Sequence, residues 1–234
     1  MLEDNLNPST ETILPYDVVT LPSEGIFYTN RKKSVKVTYL NASDENLLAS
    51  QSLQGTGDLV NTLLAKKILD KDIDTSNMPE CDKQAVLIFL RNTAFGTKYQ
   101  VQVTDPKTEK LFDAEVDLSV ITTKDIDIKV DENNEFDFYL EQSKKKVKLS
   151  LLTPKDEKEL RELDEVHKDD KINPYMTKQL EKMVKEIDGE RDRMTIAQYI
   201  QIMPISDSQS IRKIVRKNTP ALKLNTTVKT PSNQ

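Results

Sequence analysis

One phrase occurs twice in this chain. Val35 opens VKVTYLNASDENLL and Val147 opens VKLSLLTPKDEKEL. Each reads as a short alternating strand, a capping side chain, an acidic pair and a leucine-bearing helix start. A second pair follows in the same order, DKQAVLIFL from Asp82 and DRMTIAQYI from Asp192. Motifs repeated in order predict a chain built from two related halves, each containing a strand–helix unit. The alternative is two ordinary strand–helix units with good caps. Both describe a scaffold more readily than a catalyst.

Around these phrases the pattern predicts an α+β fold, with a small antiparallel β region in the middle and helical hairpins on either side. Residues 1–20 read as a polar N-terminal arm carrying Pro8 and Pro15. Residues 21–98 form a strand plus a helical half. Its opening turn is LPSEGIFY, where Pro22 fixes φ and Gly25 accepts a positive φ. An extended segment is expected from Ile26 and a strand over 34–40. Asn41 then caps a helix with Asp44 at its third position. A break at 54–57, a helix over 59–69 and a helix opened by Met78-Pro79 and closed at Gly96 complete this half.

Residues 99–152 are the β region. Strict alternation at 99–103 and 112–116 gives a hairpin around a polar loop. Further strands are expected at 126–130, 136–140 and 146–152. Residues 153–217 are helical, beginning at Thr153 with Pro154 at the first position and Asp156 at the third. Helices follow over 175–187, 193–203 and 210–217. Residues 218–234 read as a flexible tail.

Composition excludes several classes of function. The net charge of −5 lacks the clustered positive footprint of a nucleic-acid binder. No apolar run is long enough to span a bilayer, and the acidic N-terminus lacks the apolar core of a signal peptide. These features predict a soluble, intracellular chain at synthesis. His167 is the one histidine and lies in a polar, charged stretch, unsuited to the fixed geometry of a catalytic base. Cys81 is the one cysteine, so no intrachain disulfide forms, and a buried structural thiol is expected. Gly55-Thr56-Gly57 lacks the ending of a phosphate-binding loop. The acidic run from Asp125 to Asp137 has Val130 and Phe136 where a calcium loop needs Gly and Glu. No Cys or His pair offers a zinc site. No catalytic residue, cofactor or metal is expected.

Taken together, LPSEGIFY, the strand–helix phrase with Asp44-Glu45, Gly57, DKQAVLIFLRNTAFG, VKLSLLTPKDEKEL and IDGERDRMTIAQYIQIMPISDSQSIRKIV resemble the baseplate hub proteins of T4-like contractile-tailed phages. The resemblance covers about residues 21–218. Relatives carry a Cys-x-x-Cys in the first β hairpin; the matching loop here, 104–110, has no cysteine, so zinc is not implied. Packing of Tyr99, Val101, Val103, Phe112 and Val116 is expected to hold that hairpin instead.

The resemblance implies a non-catalytic structural or assembly protein of the tail baseplate hub, working by protein–protein contact. The alternative is a transient assembly chaperone absent from the mature virion. The implied partners are hub, tape-measure or tail-tube components, or further copies of this chain, with no nucleic acid and no membrane. The implied location is the host cytoplasm during assembly and the virion baseplate thereafter. Expected contact or scaffold residues are Leu21, Pro22, Gly25 and Tyr28 in the opening turn, Arg191, Asp192 and Arg193 before a late helix, and Met203 and Pro204 after it.

Overall fold

The computed structural model describes residues 14–50 and 58–228. The break expected at 54–57 lies outside the described residues. The fold is α+β, with small antiparallel sheets and helices to either side.

The first half opens with β1 (Tyr16–Thr20) paired antiparallel to β2 (Ser34–Thr38). Alternation sends Val19, Val35 and Val37 inward. Next come α1 (Ala42–Leu48), α2 (Asp58–Lys67), a 3₁₀ turn at Thr75–Asn77 and α3 (Glu80–Phe95). Leu21, Leu64, Met78, Val86 and Leu90 close the core against the hairpin.

The middle holds β3 (Lys98–Thr104) and β4 (Leu111–Asp117), paired with Val101 opposite Ala114 and Val103 opposite Phe112. After it come a second 3₁₀ turn at Leu118–Val120 and the two-residue β5 (Thr122–Thr123).

The second half contains β6 (Glu135–Leu140), β7 (Lys145–Ser150), α4 (Pro154–Val166), α5 (Tyr175–Met183), β8 (Val184–Ile187), α6 (Arg193–Ile202), α7 (Ile205–Asn218) and β9 (Leu222–Lys223). Strands β6, β7 and β8 form one antiparallel sheet. Leu149, Val184, Ile196 and Ile211 anchor its core. The two halves pack together: Ile26 and Phe27 of the opening turn lie against the second core. The Arg31 guanidinium donates to the carbonyls of Asp131 and Glu132 at 3.1 and 3.0 Å.

Several expectations are corrected. The N-terminal arm does not reach residue 20, because 16–20 pair as β1 and bury Val19. Residues 26–28 form a turn, held by Ile26 N–H to the Ser23 carbonyl and Tyr28 N–H to that of Gly25. No strand forms at 126–130; the Asp127 N–H donates to the Asn218 side chain rather than to a ladder. The helix expected over 175–187 stops at Met183, and 184–187 join β7 as a third strand. The β region therefore extends past residue 152. Residues 218–223 of the expected tail are tied down as well, since Asn218 is buried and β9 pairs with β5.

The two halves share one plan. In each, a β hairpin is followed by a helix with a complete capping box, Asn41 with Asp44 in α1 and Thr153 with Asp156 in α4. Each box aspartate also meets lysine from the end of the next helix. Asp44 pairs with Lys66 at 2.6 Å and with Lys67, and Asp156 pairs with Lys182 at 3.1 Å. Each second helix then feeds an antiparallel return to the hairpin: Ile68 bridges Val37, and Val184 faces Leu149. Each half ends on a helix opened by Met-Pro-x-x-Asp, at Met78–Asp82 and Met203–Asp207. The counterpart of Asp82 is thus Asp207, not Asp192 as the DRMTIAQYI phrase suggests. Asp192 instead caps α6, a full helix standing where the first half has only a 3₁₀ turn.

Candidate interaction surface

The densest polar chemistry surrounds Asp82. Its carboxylate is fully buried and accepts from the Ser23 N–H at 2.9 Å, the Ser23 hydroxyl at 2.6 Å and the Tyr28 hydroxyl at 2.8 Å. The Cys81 thiol lies 3.6 Å away. Burial pushes the Asp82 carboxyl above the ordinary carboxylate range, against the lowering pull of its donors. Burial, then the Asp82 charge, raises both the Tyr28 hydroxyl and the Cys81 thiol. The Tyr28 hydroxyl is thereby held in its neutral, donating form, and Cys81 is a poor nucleophile. The group lacks the histidine and the access that nucleophilic catalysis requires. It is a clamp: a helix N-terminus fastens the turn between β1 and β2.

Asp207 is a simpler version. It accepts from the backbone N–H groups of Gln142 and Ser143, in the turn between β6 and β7, at 3.1 and 2.9 Å. His167 closes α4 and bonds Asp170 through Nδ1 at 2.7 Å, a local pair at a helix end. Among the described residues no group of three His, Cys, Asp or Glu is placed to hold a metal ion. No helix among them is long and apolar enough to cross a membrane.

Of the residues expected to make contacts, four are buried, two are half-buried, and Arg191, Asp192 and Arg193 are exposed. Leu21, Pro22 and Gly25 are buried. Gly25 has φ +83°, and a Cβ there would meet the Arg31 carbonyl oxygen at 2.5 Å, so only glycine fits. Tyr28 is half-buried on Asp82. Arg191 spans Glu135 and Glu186, locking the β6–β8 sheet from its edge, and both partners raise its pKa, Glu135 most. Asp192 caps α6 by accepting from the Thr195 N–H at 2.8 Å. Arg193 donates to the carbonyls of Glu181 and Val184 at 3.2 and 3.1 Å, satisfying the C-terminal end of α5. Met203 is buried and Pro204 half-buried.

Exposed apolar side chains lie beside these residues. Ile202 and Ile205 flank the Met203-Pro204 corner and are 80% and 75% exposed. The corresponding corner of the first half carries Asn77 and Glu80. Met194, near the start of α6, is exposed as well, with the polar Gln198 between it and Ile202. Phe95 and Val120 at one end of the β3–β4 ribbon and Leu111 at the other are also exposed, and do not form one patch. Of the side chains expected to hold that ribbon, Val101, Val103, Phe112 and Val116 are only half-buried, and Tyr99 is exposed beneath the Arg91 guanidinium. The sequence signal for Ile202 and Ile205 is the Ile-Met-Pro-Ile run, in which burial of Met203 leaves the flanking isoleucines facing out.

The sequence profile of the family described as T4 bacteriophage base plate protein matches residues 16–234. The chain belongs to that family. No curated protein and no solved structure matches it. The matched region of this baseplate protein takes in both clamped hairpins, both Met-Pro corners and the ribbon between them.

Proposed function

We propose that this baseplate protein is a non-catalytic structural component of the baseplate hub, acting through contacts with hub, tape-measure or tail-tube proteins. The family match over residues 16–234 carries the reading. Two features support it. The chemically capable groups are consumed in internal fastenings: Asp82 and Asp207 hold turns, while Asp44 and Asp156 close helix starts onto lysines. The apolar corner at Ile202 and Ile205 has no counterpart in the first half, as expected of a docking surface added to a duplicated frame.

Assembly in the host cytoplasm and residence in the virion baseplate follow from this reading. Quantitative mass spectrometry of purified tails tests it. The chain is expected in intact particles at a fixed ratio to other baseplate proteins. Its presence in infected-cell extracts but absence from particles would overturn the structural role and leave a transient assembly chaperone.

A further inference from the structure

A groove of about 790 Å³ runs between α5 and α7. Leu152, Met176, Met183 and Val215 give it an apolar lining. Lys124, Arg212, Lys213 and Arg216 stand along its walls. These cations lack carboxylate partners among the described residues. Lys124 donates to the carbonyls of Arg216 and Thr219 at 2.8 and 3.4 Å, which leaves its charge uncompensated. Arg212 reaches only the Ser208 hydroxyl at 3.3 Å. Lys213 and Arg216 are exposed and make no ion pair among the described residues. The one acid on the lining is Glu157, whose carboxyl burial pushes above its ordinary range.

On a chain of net charge −5, four unpaired cations around one apolar channel are a local reversal of sign. Phosphate-rich ligands need charge without an apolar lining, whereas this channel offers both. We infer that the groove between α5 and α7 receives an acidic amphipathic helix from another protein of the baseplate. Its apolar stripe enters between the two helices in the helix-in-groove manner, and its carboxylates meet Arg212, Lys213 and Arg216. Met176 is the exposed anchor, 56% open to solvent. The inference rests on the baseplate reading for the source of the partner, and on the groove alone for the partner's chemistry.

The test places a photo-crosslinking amino acid at Met176 in the full chain during phage infection, with the same label at Phe95 as control. Adducts are mapped in cell extracts and in purified tails. The expected adduct is a segment of another baseplate protein, rich in Asp and Glu, with apolar residues at helical spacing. Arg212→Glu combined with Arg216→Glu should lower its yield about tenfold, the scale set by losing close charge pairs at an interface. The Phe95 label and the melting temperature should be unchanged. An adduct with a basic segment, with nucleic acid or with this chain itself would overturn the inference. So would no adduct above the Phe95 control, or a yield insensitive to the double variant. If the adduct forms in extracts while tails lack the chain, the structural reading fails and the groove stands. If tails contain the chain and no adduct forms, the reverse holds.

Discussion

Asp82 and Asp207 occupy the same position of the same kind of helix, each the third residue after a proline cap, and each holds the turn of its own hairpin. Their surroundings differ. Asp82 accepts from one backbone N–H and two hydroxyls inside a closed pocket, whereas Asp207 accepts from two backbone N–H groups. The box aspartates differ in exposure. Asp44 and Lys67 are 1% and 2% exposed, while Asp156 and Lys182 are 20% and 29% exposed. Both clamp aspartates are buried, but the first half also encloses its capping-box ion pair, whereas the second keeps its own close to solvent. One backbone plan thus supports two dielectric settings, and the cost of losing each fastening should follow the setting rather than the geometry.

Removing the clamps should break the comparison most clearly. Asp82→Ala strands the buried Ser23 hydroxyl and N–H together with the half-buried Tyr28 hydroxyl, and should cost about 3–5 kcal/mol, against about 2 kcal/mol for Asp207→Ala. Urea unfolding of both variants measures this; equal midpoints would mean that the two hydroxyl donors add nothing. Next in size are the lysines. Lys67→Met leaves Asp44 buried with only Lys66 and should cost about 3 kcal/mol. Lys182→Met removes a partly solvated partner and should cost under about 1 kcal/mol. A reversed order in thermal melts would refute the dielectric argument.

The pH dependence separates the aspartates by sign. Burial works to raise the Asp44 carboxyl, but Lys66, Lys67 and the Asn41 N–H outweigh it and bring it down to about 2. Its stabilising contribution is therefore complete above about pH 4 and disappears as the pH falls towards 2. Asp82 is raised, so the folded chain retains its proton more readily. Its contribution weakens as the pH rises past the ordinary carboxylate value. Asp44→Asn should flatten the acid limb of a stability–pH curve, and Asp82→Asn should tilt the curve upward at neutral pH relative to wild type. Parallel curves for the two variants would contradict these signs. Smallest in energy is Cys81, whose thiol burial and Asp82 hold well above its ordinary range. It should react with a thiol reagent at pH 8 only as the first half unfolds, with the labelling rate rising alongside urea concentration.

Local chemistry made much of this fold legible. Both capping boxes, the hairpin around 104–110 and the Met-Pro helix start are written within a few residues of where they act. Elements decided by distant partners were not. Leu180, Met183, Val184 and Ile187 fit helical spacing, yet pairing with β7 draws the last of them into a strand. Residues 126–130 alternate as a strand should but find no neighbouring ladder. At the candidate surface the sequence pointed to the Met203-Pro204 corner through its helix-breaking proline, but the burial of Met203 and the exposure of Ile202 and Ile205 depend on packing that local pattern does not carry.

The short pairing of β9 with β5 has a consequence for synthesis. Residues 16–95 contain both partners of the first clamp, so that half has its fastening in hand while the ribosome is still producing the rest. Thr122 and Thr123, by contrast, emerge about a hundred residues before Leu222 and Lys223. This latch therefore closes only after Leu222 and Lys223 have emerged, over a first half already in place.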